Sequence, residues 1–94
     1  YEKAAQQGNA EAQYNLGVMY YSGDGAIQNY MQARKWFEKA AIQNYADAQF
    51  SLGVINEDGE GVNQDMAIAK EWFSKSCDNG NKDGCESYQL LDAK

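Results

Sequence analysis

Few residue types in this chain could do chemistry, and the two cysteines are the most specific of them. Histidine is absent, which excludes a His-based catalytic triad, a His-containing zinc site and a His general base. Cys77 and Cys85 lie eight residues apart, with Asn79-Gly80 between them. If Asn79-Gly80 is the turn between two antiparallel helices, the two thiols face each other and can form a disulfide. The alternative is a pair of reduced, buried thiols.

Two glycine-containing segments, residues 22–25 and 58–61, lie between the helical patterns, and the acidic second copy invites a calcium hypothesis. A calcium loop of the EF-hand type needs oxygen ligands, a glycine and a glutamate at fixed offsets, and this spacing does not supply them. Paired glycines at positive φ in a reversing connection explain both segments better. The sequence therefore predicts no metal site, and no glycine-rich phosphate loop precedes a helix. No cofactor is expected.

The elements that position these residues follow from an internal repeat. Residues 9–44 align with residues 45–80 without a gap, a period of 36 residues, and 13 of the 36 aligned positions are identical. A period of this length is typical of a solenoid, in which each unit buries its apolar face against its neighbours. The chain begins within a repeat, which predicts that it is a piece of a longer array.

Each repeat contains two helical patterns. The second, helix B, has one apolar stripe with charged residues opposite, as in Met31–Ala41. The first, helix A, is apolar on two sides, as in Ala10–Tyr21, where Tyr14 and Val18 belong to the second side. A helix of this kind is packed between neighbours. The predicted helices span residues 9–21, 30–43, 45–57, 65–78 and 82–92, with a partial helix B at the start.

Gly17 and Gly53 recur inside helix A, where glycine is unfavourable by roughly 1 kcal/mol relative to alanine. Their recurrence at the same phase predicts that a helix-B aromatic packs against the bare backbone. Trp36 and Trp72 could stack on a ligand, but their place in an apolar stripe favours the core. The predicted core residues are Leu16, Gly17, Trp36, Phe37, Leu52, Gly53, Trp72 and Phe73.

The net charge is −6, from 8 basic and 14 acidic residues. Binding to polyanions depends on clustered Lys and Arg, so nucleic acid and anionic membranes are not expected partners. The acidity is explained by solubility or, alternatively, by a basic or peptidic partner. No apolar run approaches the roughly 20 residues of a membrane span, so membrane insertion is not expected.

The repeated residues resemble the Sel1-like repeat, a relative of the tetratricopeptide repeat with two antiparallel helices per unit. The resemblance rests on residues 10–20, which read A-E-A-Q-Y-N-L-G-V-M-Y, on the loop glycines that follow, and on residues 33–41, which read A-R-K-W-F-E-K-A-A. The family usually has proline where this chain has Ile27 and Asn63. In the third unit Gly84 and Gln89 replace an alanine and a glycine, which predicts a terminal or capping helix A.

The resemblance implies an all-α fold, an α-solenoid of antiparallel helix pairs in a right-handed superhelix. It implies one repeat domain over residues 1–94, divided into a partial helix B (1–8), two repeats (9–44 and 45–80) and a partial or capping repeat (81–94). It also implies a non-catalytic adaptor that binds another protein or peptide. Polar positions on helix A are then the candidates for partner contact: Gln13, Asn15, Gln49 and Ser51.

A cysteine-rich, secreted branch of the family carries Cys pairs at the spacing of Cys77 and Cys85. This favours a disulfide and a periplasmic or secreted bacterial protein; reduced cysteines would instead indicate the cytoplasm. Some cysteine-rich relatives are credited with binding or hydrolysing penicillins, but no Ser-x-x-Lys motif occurs here. The two alternatives to an adaptor are therefore a penicillin-binding or β-lactamase-like protein and a structural spacer in a longer array.

Overall fold

The computed structural model describes residues 2–23 and 28–93, and these residues form helices and connections without any strand. The helices are α1 (Glu2–Gln6), α2 (Ala10–Ser22), α3 (Tyr30–Ala41), α4 (Ala46–Asp58), α5 (Met66–Asp78) and α6 (Lys82–Asp92). The predicted all-α fold is confirmed, and the helix ends differ from the predicted ones by at most two residues. The glycine turn expected at Gly25 lies outside the described residues.

Short-range signals set the helix ends. Four helices begin at a side chain that accepts a hydrogen bond from a backbone N–H three residues on, namely Asn9, Asn29, Asp65 and Asn81. This interaction satisfies one of the free donors of the first turn. α2 and α4 end at Gly23 and Gly59, whose φ angles of 80° and 75° are left-handed. Glycine adopts that conformation without steric cost, so the chain reverses there into the next helix.

The helices stack in chain order as an α-solenoid. Each helix packs against the helix before it and the helix after it, so that the A helices (α2, α4 and α6) alternate with the B helices (α1, α3 and α5). The two buried apolar clusters lie between a B helix and the A helix that follows it. One joins α1 to α2 around Ala5 and Leu16, and the other joins α3 to α4 around Phe37 and Leu52.

The two helices of a repeat approach each other closely at Gly17 and Gly53. A Cβ atom at Gly17 would lie 2.6 Å from Cδ1 and Cε1 of Phe37, and one at Gly53 would lie 2.5 Å from Cδ1 of Phe73. Both rings are buried, with at most 1% of their surface exposed. The bare glycine backbone therefore lets each aromatic ring lie directly against helix A.

Trp36 and Trp72 were predicted to be core residues, but they lie at the edge of the core. Both are half-buried and pack against the edges of the two apolar clusters. The ammonium groups of Lys39 and Lys75 lie 4.7 and 4.8 Å from the centroids of the two indole rings. The apolar stripe correctly predicted that the tryptophans lie at the helix interface. Because the indole rings are large, each one extends to the edge of its apolar cluster, where a lysine ammonium group lies over it.

Gly17→Ala should destabilise the chain by about 1–3 kcal/mol. The added methyl group displaces Phe37, and the free-energy cost of this displacement exceeds the gain in helix propensity. Urea unfolding followed by circular dichroism measures the change. In the double variant Gly17→Ala/Phe37→Leu the smaller side chain makes room, so the two effects should be non-additive. A Gly17→Ala variant as stable as the unaltered chain would contradict the contact.

Candidate partner-binding groove

An apolar groove of about 250 Å³ lies between α2 and α4. It is lined by Tyr14, Val18 and Tyr21 from α2, Phe37 from α3, and Phe50, Ser51 and Val54 from α4. Every lining residue except Ser51 is apolar or aromatic. Because Val18 is 37% exposed, the groove presents apolar surface to the solvent.

The floor of the groove is a closely packed aromatic ring. It includes Phe37, the ring held against Gly17 and only 1% exposed. The rings of Tyr14 and Tyr21 lie with their centroids 5.7 and 6.4 Å from that of Phe37. Across the groove, Phe50 packs on Phe73 with ring centroids 5.5 Å apart. Since the three aromatic wall residues each pack on a buried phenylalanine ring, the core beneath the groove helps to set its shape.

Tyr21 closes one end of the groove and is held there by the next repeat. Its hydroxyl donates a hydrogen bond of 2.6 Å to Oε1 of Glu60, and its ring lies 5.5 Å from that of Tyr30. Gly61 has a φ of 72°, and a Cβ atom there would lie 2.7 Å from Cβ of Tyr30. Burial, with the hydrogen bond and charge of Glu60, raises the pKa of Tyr21 above its ordinary value. The phenol is therefore a protonated donor at neutral pH.

Tyr14 lies at the other end of the groove, near the start of α4. Its ring packs against Tyr45, with centroids 5.4 Å apart. Burial is the main cause that raises the pKa of Tyr14, and the carboxylate of Asp47 adds to it, while a hydrogen bond with Ser51 opposes them. Burial, followed by the charges of Glu11 and Asp47, raises the pKa of Tyr45. Carboxylates therefore stand near both ends of the apolar groove.

The prediction that Gln13 and Gln49 form a partner-contact surface is wrong. They are 5% and 2% exposed, and each donates through Nε2 to a backbone carbonyl eight residues earlier, that of Ala5 at 3.0 Å and that of Ala41 at 3.1 Å. Their Oε1 atoms accept hydrogen bonds of 2.9 Å from Gln43 and Asn79. These amides join the end of one B helix to the following A helix and to the end of the next B helix.

The other two predicted contact residues, Ser51 and Asn15, are half-buried rather than buried. Ser51 lines the groove, and its hydroxyl donates to the Asp47 carbonyl at 3.0 Å. Asn15 is half-buried on α2 and is not among the lining residues. The apolar wall residues Val18, Phe50 and Val54 were not predicted as a site, although the second apolar face of helix A was the signal that could have identified them.

Cys77 and Cys85 form a disulfide with their Cα atoms 4.5 Å apart. The pair occupies the position that Ala41 and Gln49 hold one repeat earlier. The covalent bond between α5 and α6 thus stands where a glutamine-to-carbonyl hydrogen bond stands between α3 and α4. Neither cysteine is a free thiol. Within residues 2–23 and 28–93, no group of three or more Cys, Asp or Glu side chains is arranged to hold a metal ion.

Comparison with known proteins relates the chain to one repeat family. The Sel1 repeat model matches residues 1–9, 10–45 and 46–81. A Sel1 repeat protein from Oxalobacter formigenes has 37% sequence identity and a TM-score of 0.88, with 92% of this chain and 65% of that chain covered. Helicobacter pylori cysteine rich protein B has 27% identity and a TM-score of 0.86, with coverages of 90% and 64%.

A third similar structure is a protective antigen present in uropathogenic Escherichia coli strains that displays an SLR fold. Its identity is 40% and its TM-score 0.86, with 88% of this chain and 18% of that chain covered. The chain thus spans less than two thirds of each of the three proteins. No curated protein matches the sequence.

The variant Ala41→Cys/Gln49→Cys should form a second disulfide in air, because its positions match those of Cys77 and Cys85 one repeat later. Closing this short loop should contribute roughly 2–3 kcal/mol relative to the reduced form. Thiol alkylation followed by mass spectrometry reports the bond, and urea unfolding with and without reductant reports its effect. The matched control Ala41→Ser/Gln49→Ser removes the same glutamine hydrogen bonds and forms no bond. A pair that stays reduced in air would contradict the superposition of the repeats.

Proposed function

The chain belongs to the Sel1 repeat family, and from that premise we propose that it is a non-catalytic protein-interaction module that binds its partner in the α2–α4 groove. Repeats of this family commonly serve as interaction modules. Because one fold supports many functions, the proposal depends on the features of the site. The observation that supports the proposal is the groove itself. It is an apolar surface open to solvent between two helices, with a buried aromatic ring as its floor.

The groove has the features of a surface built for another chain. Exposed apolar patches rimmed by polar residues mark interaction sites in soluble proteins. Its walls are tyrosine, phenylalanine and valine, and aromatic residues are enriched at such sites because they give large contact areas with little conformational freedom to lose. The floor is already packed by Phe37 against Gly17, so a partner side chain enters a preformed space. A preformed site lowers the entropic cost of binding.

We also propose an extracytoplasmic location, periplasmic or secreted in a bacterium. The support is the disulfide between Cys77 and Cys85, since disulfides persist in oxidising compartments. A cysteine-rich structural relative adds to it. Among the helices of the described residues, none combines the length and apolar character that crossing a membrane requires.

The groove is tested by selecting random peptides on the immobilised chain and measuring each selected peptide against two variants. Val18→Asp places a charge in the groove wall and should weaken binding at least about tenfold, because the carboxylate is desolvated by an apolar ligand. Ile42→Asp is the matched control, with the same charge change at an exposed apolar residue at the end of α3. Val18 and Ile42 are both exposed, so both variants should fold, which circular dichroism checks.

Two results would contradict the proposal. One is that no selected peptide depends on Val18. The other is that Ile42→Asp weakens binding as strongly as Val18→Asp, which would show an effect of charge rather than of the groove.

A further inference from the structure

We propose that the groove binds a basic polypeptide segment, in which one bulky apolar side chain enters the groove and Lys or Arg residues on either side of it meet carboxylates at the two groove ends. The inference rests on the proposed function and specifies the chemistry of the partner. It follows from how charge is divided between the helices, from the positions of the carboxylates and from the size of the groove.

The A and B helices differ in charge. The groove walls, α2 and α4, contain no Lys or Arg, and their ionisable acids are Glu11, Asp47, Glu57 and Asp58. Most basic residues of the chain lie on α3 and α5, namely Arg34, Lys35, Lys39, Lys70 and Lys75. The two wall helices are therefore acidic, whereas most of the cations are on the B helices.

Three of these cations are engaged away from the groove. Lys39 and Lys75 lie over the rings of Trp36 and Trp72. Lys70 forms an ion pair of 2.6 Å with Asp92 on α6. These contacts lie on the B helices or between α5 and α6, so they do not neutralise the carboxylates of the groove walls.

Carboxylates stand at both ends of the apolar space. Glu60 accepts the 2.6 Å hydrogen bond from the Tyr21 hydroxyl, and Asp58 is close enough to contribute to the electrostatic environment of Tyr21. At the opposite end, Asp47 lies one helical turn before the lining residue Ser51, whose hydroxyl donates to the Asp47 carbonyl at 3.0 Å. The Asp47 carboxylate accepts a hydrogen bond of 2.9 Å from the neutral amide of Asn81 and keeps its negative charge, which also helps to raise the pKa of Tyr14. Tyr14 and Tyr21 are seven residues apart on one helix, which is about 10.5 Å along its axis. The two tyrosines, each with a carboxylate nearby, therefore bracket an apolar interval of that length.

The groove and this interval fit one large side chain with a base on each side. A cavity of about 150 Å³ accommodates benzene, so the 250 Å³ groove accommodates an aromatic ring or a large aliphatic side chain. An extended peptide advances about 3.3 Å per residue. Basic residues two positions before and after the apolar residue then lie about 6.6 Å from it, near the ends of the groove.

The test uses three acetylated and amidated heptapeptides. Each has Phe at its centre, and Lys, Gln or Glu two positions on either side, with Ser elsewhere. Chemical-shift titration of the ¹⁵N-labelled chain gives both the affinity and the location of binding. At low ionic strength the Lys peptide should bind about tenfold more tightly than the Gln peptide, because several exposed ion pairs each contribute a modest factor. The difference should vanish near 1 M salt, where the Debye length is about 3 Å.

Two variants with the same change in net charge separate the groove from the overall charge. Asp47→Asn/Asp58→Asn/Glu60→Gln neutralises the groove ends and keeps an amide oxygen that accepts from Tyr21; it should lose about tenfold in affinity for the Lys peptide. The control Glu38→Gln/Glu71→Gln/Asp78→Asn neutralises exposed acids of α3 and α5 and should retain affinity within about twofold.

The outcomes distinguish this inference from the proposed function. Equal binding of all three peptides, or preference for the Glu peptide, with shifts at Val18 and Val54 overturns the basic partner and leaves the groove as the binding site. If the selected peptides bind in the groove and the Lys peptide does not, the basic partner is also overturned and the groove remains the binding site. Shifts confined to other surfaces for every peptide contradict both. A dimer in sedimentation that the groove-end variant abolishes would place a second copy in the groove and overturn the inference.

Discussion

Phe37 lies against α2 at Gly17, and Phe73 lies against α4 at Gly53. No side chain other than hydrogen leaves room for these rings, so each contact fixes the distance and the register between the two helices of a repeat. The contact at Gly17 also affects the surface groove. Phe37 is also the floor of the groove, and Tyr14 and Tyr21 are positioned by packing on it. The same contact therefore holds the repeat together and determines the shape of its candidate binding site.

A second set of contacts joins one repeat to the next, and it recurs with different chemistry. Gln13 and Gln49 each donate to a carbonyl eight residues earlier, whereas Cys77 and Cys85 form a covalent bond at the corresponding place. Nearby, Ser76 and Gly84 occupy the positions of Ala40 and Ala48. A Cβ atom at Gly84 would collide with the Ser76 hydroxyl, so the larger residue on α5 is matched by the smaller one on α6. Corresponding positions thus join successive helices at both junctions, while the residues at these positions change.

The division of charge between the helices separates structural and binding roles. The B helices carry most cations. Two of these lie over tryptophan rings, and a third pairs with a carboxylate of α6. The A helices that form the groove carry acids alone among their ionisable Asp, Glu, Lys and Arg residues. Electrostatic complementarity contributes more to specificity and association rate than to affinity. In the proposed binding mode, the apolar floor supplies the affinity and the carboxylates select the partner.

The sequence by itself determined the repeat, the helices and the contact at Gly17, because helical periodicity, capping residues and a glycine recurring at one phase are local signals. It also indicated the disulfide, because Asn79-Gly80 marks the turn that brings the two cysteines together. Only the tertiary structure decided that Gln13 and Gln49 are buried and that Trp36 and Trp72 are not fully so. The burial of an amide depends on whether a carbonyl of another helix accepts its proton. The groove likewise exists only because α2 and α4, distant in sequence, come to lie on either side of Phe37.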